Sequence, residues 1–354
     1  MAGFWQMRRD PYTLSRAGMF ATGAALVALL FVGMKVVTTA GPQDQRNIAA
    51  GFQSPTPTQV PDWAVPTEVA TPSASVAMYR GDAAHTGELP GPGIVGRPYR
   101  LWRFDSAGEV YSSPAGANGV VYVGSKSGFL FALSEDDGSE QWRTDLGDYI
   151  VRSSPAVIEN RVYVGAGYTL FALDAASGDA AWQGRTSFSG SSSPAIVDGV
   201  VYVASQSSTV YAFEAETGKL KWTFQTDGPV FSSPSISGNL IFVGTDNGKL
   251  LALNIMTGQP RWKFETGGGI FSSPAVVGDL VFVTTKNGKT YAVEIETGSV
   301  RWSYDAGGEA SPAVAGGTVY VAGSDGGLYA LDAATGGDPR WLFPTGSPIT
   351  SSPG

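Results

Sequence analysis

The sequence predicts an all-β chain, a β-propeller of about seven four-stranded blades, one of them incomplete, preceded by a single transmembrane helix. Three observations lead there. Tryptophan recurs at 102, 142, 182, 222, 262, 302 and 341, a step of about 40 residues, and a period in that range marks a propeller or solenoid array. Five of these tryptophans follow an Ala by ten residues and a Gly by four: Ala132, Gly138, Trp142; Ala172, Gly178, Trp182; Ala212, Gly218, Trp222; Ala252, Gly258, Trp262; and Ala292, Gly298, Trp302. A sixth copy, Ala330 to Trp341, is one residue longer. Ser-Ser-Pro keeps the same beat at 112–114, 153–155, 192–194, 232–234, 272–274 and 351–353, with a shortened Ser311 and Pro312 between.

Residues 232–266 show what one period contains. Residues 234–237 open a first strand, and Gly238 and Asn239 turn the chain. The second strand, 240–244, is Leu, Ile, Phe, Val and Gly, the side chains that suit a buried pleat. Asp246, Asn247 and Gly248 close a hairpin, because Asn-Gly supplies the positive φ of a tight turn. The third strand is 250–253, Met256 to Gly258 turn again, and 261–264 is the fourth. Four antiparallel strands per period is the unit of a propeller blade. A blade cannot bury both faces alone, so each indole is expected to seek the neighbouring blade, with Trp142, Trp182, Trp222, Trp262, Trp302 and Trp341 as the structural set.

The N-terminal quarter reads differently. Residues 1–16 carry Arg8, Arg9 and Arg16 and are expected in the cytoplasm, since basic residues precede an apolar stretch on its inner side. Residues 17–37 follow as a transmembrane signal-anchor: the uncharged run 17–34 makes about 27 Å of helix, close to the ~30 Å hydrocarbon core. The alternative is a cleaved signal peptide with Thr38 and Ala40 at the cleavage site. Residues 38–76 hold six prolines among Ser, Thr, Gln and Ala and read as a linker, which leaves 77–354 as the propeller domain. At its two ends, 101–104 resembles an outermost strand and 349–353 an innermost one, each without its three companions.

Charge and cysteine content narrow the function. The net charge is −8 with only 15% charged residues, so no basic track offers itself to phosphates and nucleic acid is not an expected partner. The absence of cysteine removes disulfides, thiolate metal sites and a lipid-modified N-terminal Cys.

The fuller unit, Ser-Ser-Pro, Val-Tyr-Val-Gly, Leu-Tyr-Ala-Leu-Asp and Thr-Gly before Trp, resembles the PQQ-like (pyrroloquinoline quinone) repeat propellers over residues 77–354. That group includes the lipoprotein propeller of the outer-membrane barrel assembly machinery, whose anchoring Cys this chain lacks. Residues 78–87, with Arg80-Gly81-Asp82 and the only histidine, His85, are similar to the segment that often precedes such repeats, which implies packing and capping. The resemblance sets two functions side by side. One is a non-catalytic, membrane-anchored scaffold that binds a protein or peptide of the cell envelope, on the outer side of the cytoplasmic membrane. The other is a PQQ-dependent dehydrogenase with PQQ and Ca²⁺. Those enzymes are longer, and neither their Ca²⁺ ligands nor their catalytic Asp can be matched here, so no cofactor, metal or catalytic residue is expected.

Specificity on a repeated frame lies where the frame varies. The residues leading into the Ser-Pro mark are Tyr111, Arg152, Ser191, Phe231, Phe271, Ala310 and Thr350, and the turns between second and third strands offer Lys126, Asp246, Lys286 and Asp325. From these, Tyr111, Arg152, Phe231, Phe271, Lys126, Asp246, Lys286 and Asp325 form the candidate binding ring at the channel mouth. Aromatic side chains suit the centre of a protein interface.

Overall fold

The computed structural model describes residues 78–87, 100–106, 108–150, 152–187 and 192–353. The expected cytoplasmic stretch 1–16, transmembrane helix 17–37 and linker 38–76 lie outside the described residues. Among the described residues no helix is long and apolar enough to cross a membrane.

All regular structure in the described residues is β, in six antiparallel four-stranded sheets. Blade 1 is β1 (Ala115–Ala117), β2 (Val120–Gly124), β3 (Phe129–Ser134) and β4 (Glu140–Asp145); blade 2 is β5 (Ala156–Ile158), β6 (Arg161–Ala166), β7 (Thr169–Asp174) and β8 (Ala180–Arg185). Blade 3 is β9 (Ala195–Val197), β10 (Val200–Ser205), β11 (Thr209–Glu214) and β12 (Leu220–Gln225); blade 4 is β13 (Ser235–Ser237), β14 (Leu240–Gly244), β15 (Lys249–Asn254) and β16 (Pro260–Glu265). Blade 5 is β17 (Ala275–Val277), β18 (Leu280–Thr284), β19 (Thr290–Glu294) and β20 (Val300–Tyr304); blade 6 is β21 (Ala313–Ala315), β22 (Thr318–Ala322), β23 (Gly327–Asp332) and β24 (Gly336–Pro344). Second and third strands are buried on both faces, which is why they read as continuous apolar runs. The fourth strands alternate, with charged residues outward and the Trp face inward.

The core lies between blades, and the repeated Ala and Gly explain how. Within each sheet the Ala pairs directly with the Trp, as Ala172 with Trp182 and Ala252 with Trp262, and the register shifts at the next step. A fully buried Ala leaves the indole room to lean off its own sheet, and the bulge increases the local twist. The indole then lies on the Gly of the following repeat. A Cβ on Gly178 would stand 2.6 Å from Trp142 Cε3, and its φ of +76° already favours glycine. Each docked indole also donates its Nε1–H across the boundary: Trp142 to the Ala175 carbonyl at 2.9 Å, Trp182 to Ala215 at 2.7 Å, Trp222 to Ile255 at 3.1 Å, Trp262 to Ile295 at 2.7 Å and Trp302 to Ala333 at 2.9 Å.

Ser-Ser-Pro has an equally specific task. The first Ser ties the lead-in loop to the end of its own second strand, as Ser232 Oγ does to the Gly244 carbonyl at 3.0 Å and Gly244 N at 2.9 Å. The second Ser accepts from the preceding blade: the amides of Ser113, Ser154, Ser193, Ser233, Ser273 and Ser311 donate to Oγ of Ser154, Ser193, Ser233, Ser273, Ser311 and Ser352, each at 2.9 Å. The motif is a chain of hydrogen bonds running from blade to blade at the innermost strands.

The expectation of about seven blades meets six complete sheets. Trp102 docks on blade 1 as other tryptophans do on theirs, donating to the Glu135 carbonyl at 2.8 Å, and Ser352 takes the innermost position after blade 6. Neither 101–104 nor 349–353 pairs into a sheet among the described residues. Trp341 is 45% exposed, because β24 has no following sheet among the described residues to receive its indole.

Candidate functional site

The lead-in loops and the turns after the second strands meet through backbone bonds, for example Asp246 N to the Pro229 carbonyl at 2.8 Å and Lys286 N to Gly269 at 2.9 Å. On blades 4 and 5 these loops assemble one cluster from the candidate ring. Phe231 and Phe271 stack with centroids 4.3 Å apart and planes at 11°. Lys286 Nζ sits 4.2 Å from the Phe271 ring centroid, 3.9 Å from Asp246 and 4.0 Å from Glu309. Both rings are only half-buried, and the Lys is exposed, so the group presents an aromatic face edged by a cation and two carboxylates.

A second, smaller cluster sits on blade 1. Tyr111 is exposed, and Lys126 Nζ lies 5.5 Å from its ring while pairing with Glu109 at 2.7 Å. The hydrogen bond holds the Glu109 carboxyl below its usual range and the Lys126 ammonium above it. Glu109 and Glu309 are the residues the sequence reading passed over. The signal for them is an acid in the lead-in loop facing a Lys in the turn after the second strand.

Other positions of the ring do not join these clusters. Asp325 is turned into its own hairpin, accepting from Gly327 N at 3.0 Å and from the Tyr329 hydroxyl. The hydroxyl's donation holds the Asp325 carboxyl low, and the same bond pushes Tyr329 up to about 12. Ala310 is buried, and its carbonyl accepts from Thr284 Oγ1 at 2.6 Å. Arg152 and Thr350 are exposed without a partner among the described residues, and Ser191 lies outside them.

Residues 78–87 line the innermost strands. The amides of Ile236, Val276 and Val314 donate to the carbonyls of Ala83, Ala84 and Thr86 at 2.6, 2.8 and 2.7 Å, so the segment adds itself to blades 4, 5 and 6. Arg80 donates to the His85, Ser311 and Pro312 carbonyls at 3.1, 3.3 and 2.6 Å, and Asp82 accepts from the Thr86 amide and hydroxyl at 3.1 and 2.7 Å. The Arg-Gly-Asp tripeptide is therefore spent on internal bonds. His85 is fully buried, 2.9 Å from Ser235 Oγ through Nδ1, with no partner at Nε2. Ser235 Oγ itself donates to the Pro274 carbonyl, which makes the imidazole the donor at Nδ1. Burial, reinforced by the Arg80 charge, pushes His85 down to about 3, so it is neutral at ordinary pH.

A quinone and Ca²⁺ would need several oxygen ligands converging on one cation. Among the described residues no three His, Cys, Asp or Glu side chains converge. Asp246 and Glu309 face Lys286 instead, and Asp325 faces Tyr329. No chemistry is derived through that pair.

Comparison with known proteins agrees with this architecture. The outer membrane protein assembly factor BamB of Moranella endobia is 29% identical over 135 residues, which cover 32% of this chain and 35% of that protein. The match thus spans about a third of the curated relative's length. Among solved structures, BamB from Moraxella catarrhalis superposes with a TM-score of 0.63 at 20% identity, covering 71% of this chain and 81% of its own. The quinohemoprotein alcohol dehydrogenase ADHIIG from Pseudomonas putida HK5 gives 0.58 at 16% identity, covering 79% and 73%. Such identities speak for the fold alone. The model of the family described as outer membrane protein assembly factor BamB matches residues 99–207, 185–272 and 256–350, and the chain belongs to that family of PQQ-like repeat β-propellers.

Proposed function

We propose that this propeller is a non-catalytic scaffold of the cell envelope, held to the cytoplasmic membrane by residues 17–37, and that it binds a protein or peptide partner through its lead-in loops. The observation that carries the reading is the stacked Phe231 and Phe271 pair with Lys286 over it, a half-exposed aromatic surface built from loops on a rigid frame. Aromatics that are pre-stacked lose little side-chain freedom on binding, which favours a protein contact. The named assembly-factor relatives support a protein partner, since assembly is done on proteins. The net charge of −8 argues against nucleic acid.

The test compares the full chain with a Tyr111→Ala, Phe231→Ala, Phe271→Ala variant in cross-linking to envelope proteins. Loss of one partner from the variant, with an unchanged circular dichroism spectrum, is the expected result; full retention refutes this surface. The alternative, a PQQ-dependent dehydrogenase, rests on fold likeness to quinohemoprotein alcohol dehydrogenase. Dye reduction by the chain with PQQ, Ca²⁺ and an alcohol would establish it and overturn the scaffold reading.

A further inference from the structure

The boundary between blades 3 and 4 departs from the repeat. Opposite the residue that follows each Trp, the third strands carry Phe131, Phe171, Tyr211, Tyr291 and Tyr329, but blade 4 carries Leu251. That ring serves the neighbour before it. Where a second aromatic stands two residues after the Trp, the two rings meet: Phe104 with Phe131 at 5.1 Å, Phe264 with Tyr291 at 5.3 Å and Tyr304 with Tyr329 at 5.9 Å. Phe224 of β12 has Leu251 at that place, and a groove of about 380 Å³ opens there, lined by Phe224, Leu251, Pro260, Arg261 and Lys263.

The same blade leaves a cation free beside the groove. In blade 5, Arg301 is held by Asp279 at 2.7 Å and Glu294 at 3.1 Å, and in blade 6 Arg340 is held by Asp332 at 2.6 Å. In blade 4 the equivalent Arg261 has Asn239 and Asn254 where blade 5 has its two acids, and it is exposed with no ion pair among the described residues. Two departures of one blade therefore converge on one occupant: an aromatic side chain for the groove, with a carboxylate next to it for the guanidinium.

We infer that the groove between blades 3 and 4 is the docking site for Trp63 of this chain's own linker, with Asp62 paired to Arg261. Residues 38–77 lie outside the described residues and hold two aromatics: Phe52, between Gly51 and Gln53, and Trp63, directly after Asp62. The tether is long enough. Met78 lies at blade 3, its Sδ 3.4 Å from the Ile196 amide on the innermost strand. The chain between Trp63 and Met78 reaches about 50 Å when extended, against ~14 Å across a four-stranded sheet and ~20 Å along a six-residue strand. A tether of this kind sets an effective concentration on the order of millimolar, which favours the chain's own indole over a free competitor. Seated there, the indole gives blades 3 and 4 the ring contact that other boundaries make from within, and ties the linker to the rim of the propeller. The groove shares no residue with the Phe231 and Phe271 cluster, and its test does not depend on that reading.

The test follows Trp63 in the full chain by N-bromosuccinimide oxidation, read residue by residue by mass spectrometry. The comparison is Leu251→Tyr, which fills the groove with the ring that other blades carry. Trp63 is expected to react several-fold faster in Leu251→Tyr than in the unaltered chain, while Trp142 and Trp302 keep their rates. Arg261→Asp, at an exposed position, is expected to speed Trp63 in the same way, and adding Asp62→Arg to it is expected to restore the slow rate, a rescue that general loosening of the fold does not give. Equal rates of Trp63 in the unaltered chain and in Leu251→Tyr overturn the inference, whether both are fast, with the groove open to a partner protein, or both slow, with Trp63 covered elsewhere. A charge swap that leaves Trp63 fast overturns the pairing with Arg261. Protection that disappears on dilution of a dimer seen by sedimentation also overturns the inference, because the indole then comes from a second copy.

Discussion

Replacing Trp142 with Ala, beside the same change at Trp341, separates an indole that wedges two blades from one that does not. Trp142 is 9% exposed and lies on Gly178. Burying ~150–250 Å² of indole contributes about 4–6 kcal/mol gross at ~25 cal/mol per Å², and removal of a large buried aromatic measures about 3–5 kcal/mol with its cavity. The hydrogen bond adds little here, because the Ala175 carbonyl that accepts from Trp142 also accepts from the Tyr122 hydroxyl at 3.2 Å and keeps a partner. Trp341 is nearly half exposed and has no next sheet against it among the described residues, so its truncation is expected to cost about 1–2 kcal/mol. Urea denaturation followed by circular dichroism gives both losses from the midpoint shift at constant slope. Equal losses for the two variants would refute the claim that stability resides at blade boundaries.

Two further outcomes follow from groups described above. His85 is neutral when folded, with its value near 3 against an ordinary 6.5, so the unfolded chain takes up a proton that the folded chain refuses as pH falls. Its contribution is complete above pH 6.5 and is lost between there and pH 3 at about 1.4 kcal/mol per unit; urea midpoints from pH 7 to 4.5 should therefore fall less steeply in His85→Asn, and parallel pH profiles would sink the assignment. Gly178→Ala places a methyl 2.6 Å from the Trp142 ring as well as straining φ, whereas Gly199→Ala at φ +70° meets nothing within 4 Å. The first should lose about 2–4 kcal/mol and the second about 1, read from the same denaturation curves, and similar values would mean that the indole does not rest on Gly178.

The repeat was legible because each of its marks has a local, periodic cause. Ala172, Gly178 and Trp182 recur since every blade boundary poses the same steric problem, and the turns at 246–248 and 256–258 follow from backbone preference alone. The candidate site was legible only as positions. That Phe231 and Phe271 stack depends on two loops 40 residues apart lying side by side. Asp325 looks like Asp246 in sequence, but the backbone bond that Asp246 makes to Pro229 is made in blade 6 by Ser324 to Gly307, so Asp325 stands where Asn247 does and the hydroxyl of Tyr329, in the register place of Leu251, captures its carboxylate. The serines of Ser-Ser-Pro were visible as a beat, while their bonds from one blade to the next were not.

Composition and periodicity by themselves determined that this chain is a stack of small antiparallel sheets, because strand, turn and docking residues act within one repeat or on its immediate neighbour. Tertiary structure alone decided which lead-in aromatics meet, and that residues 78–87 complete the inner strands of blades 4, 5 and 6. Those outcomes depend on which surfaces are brought together after the blades assemble, and no spacing along the chain encodes that.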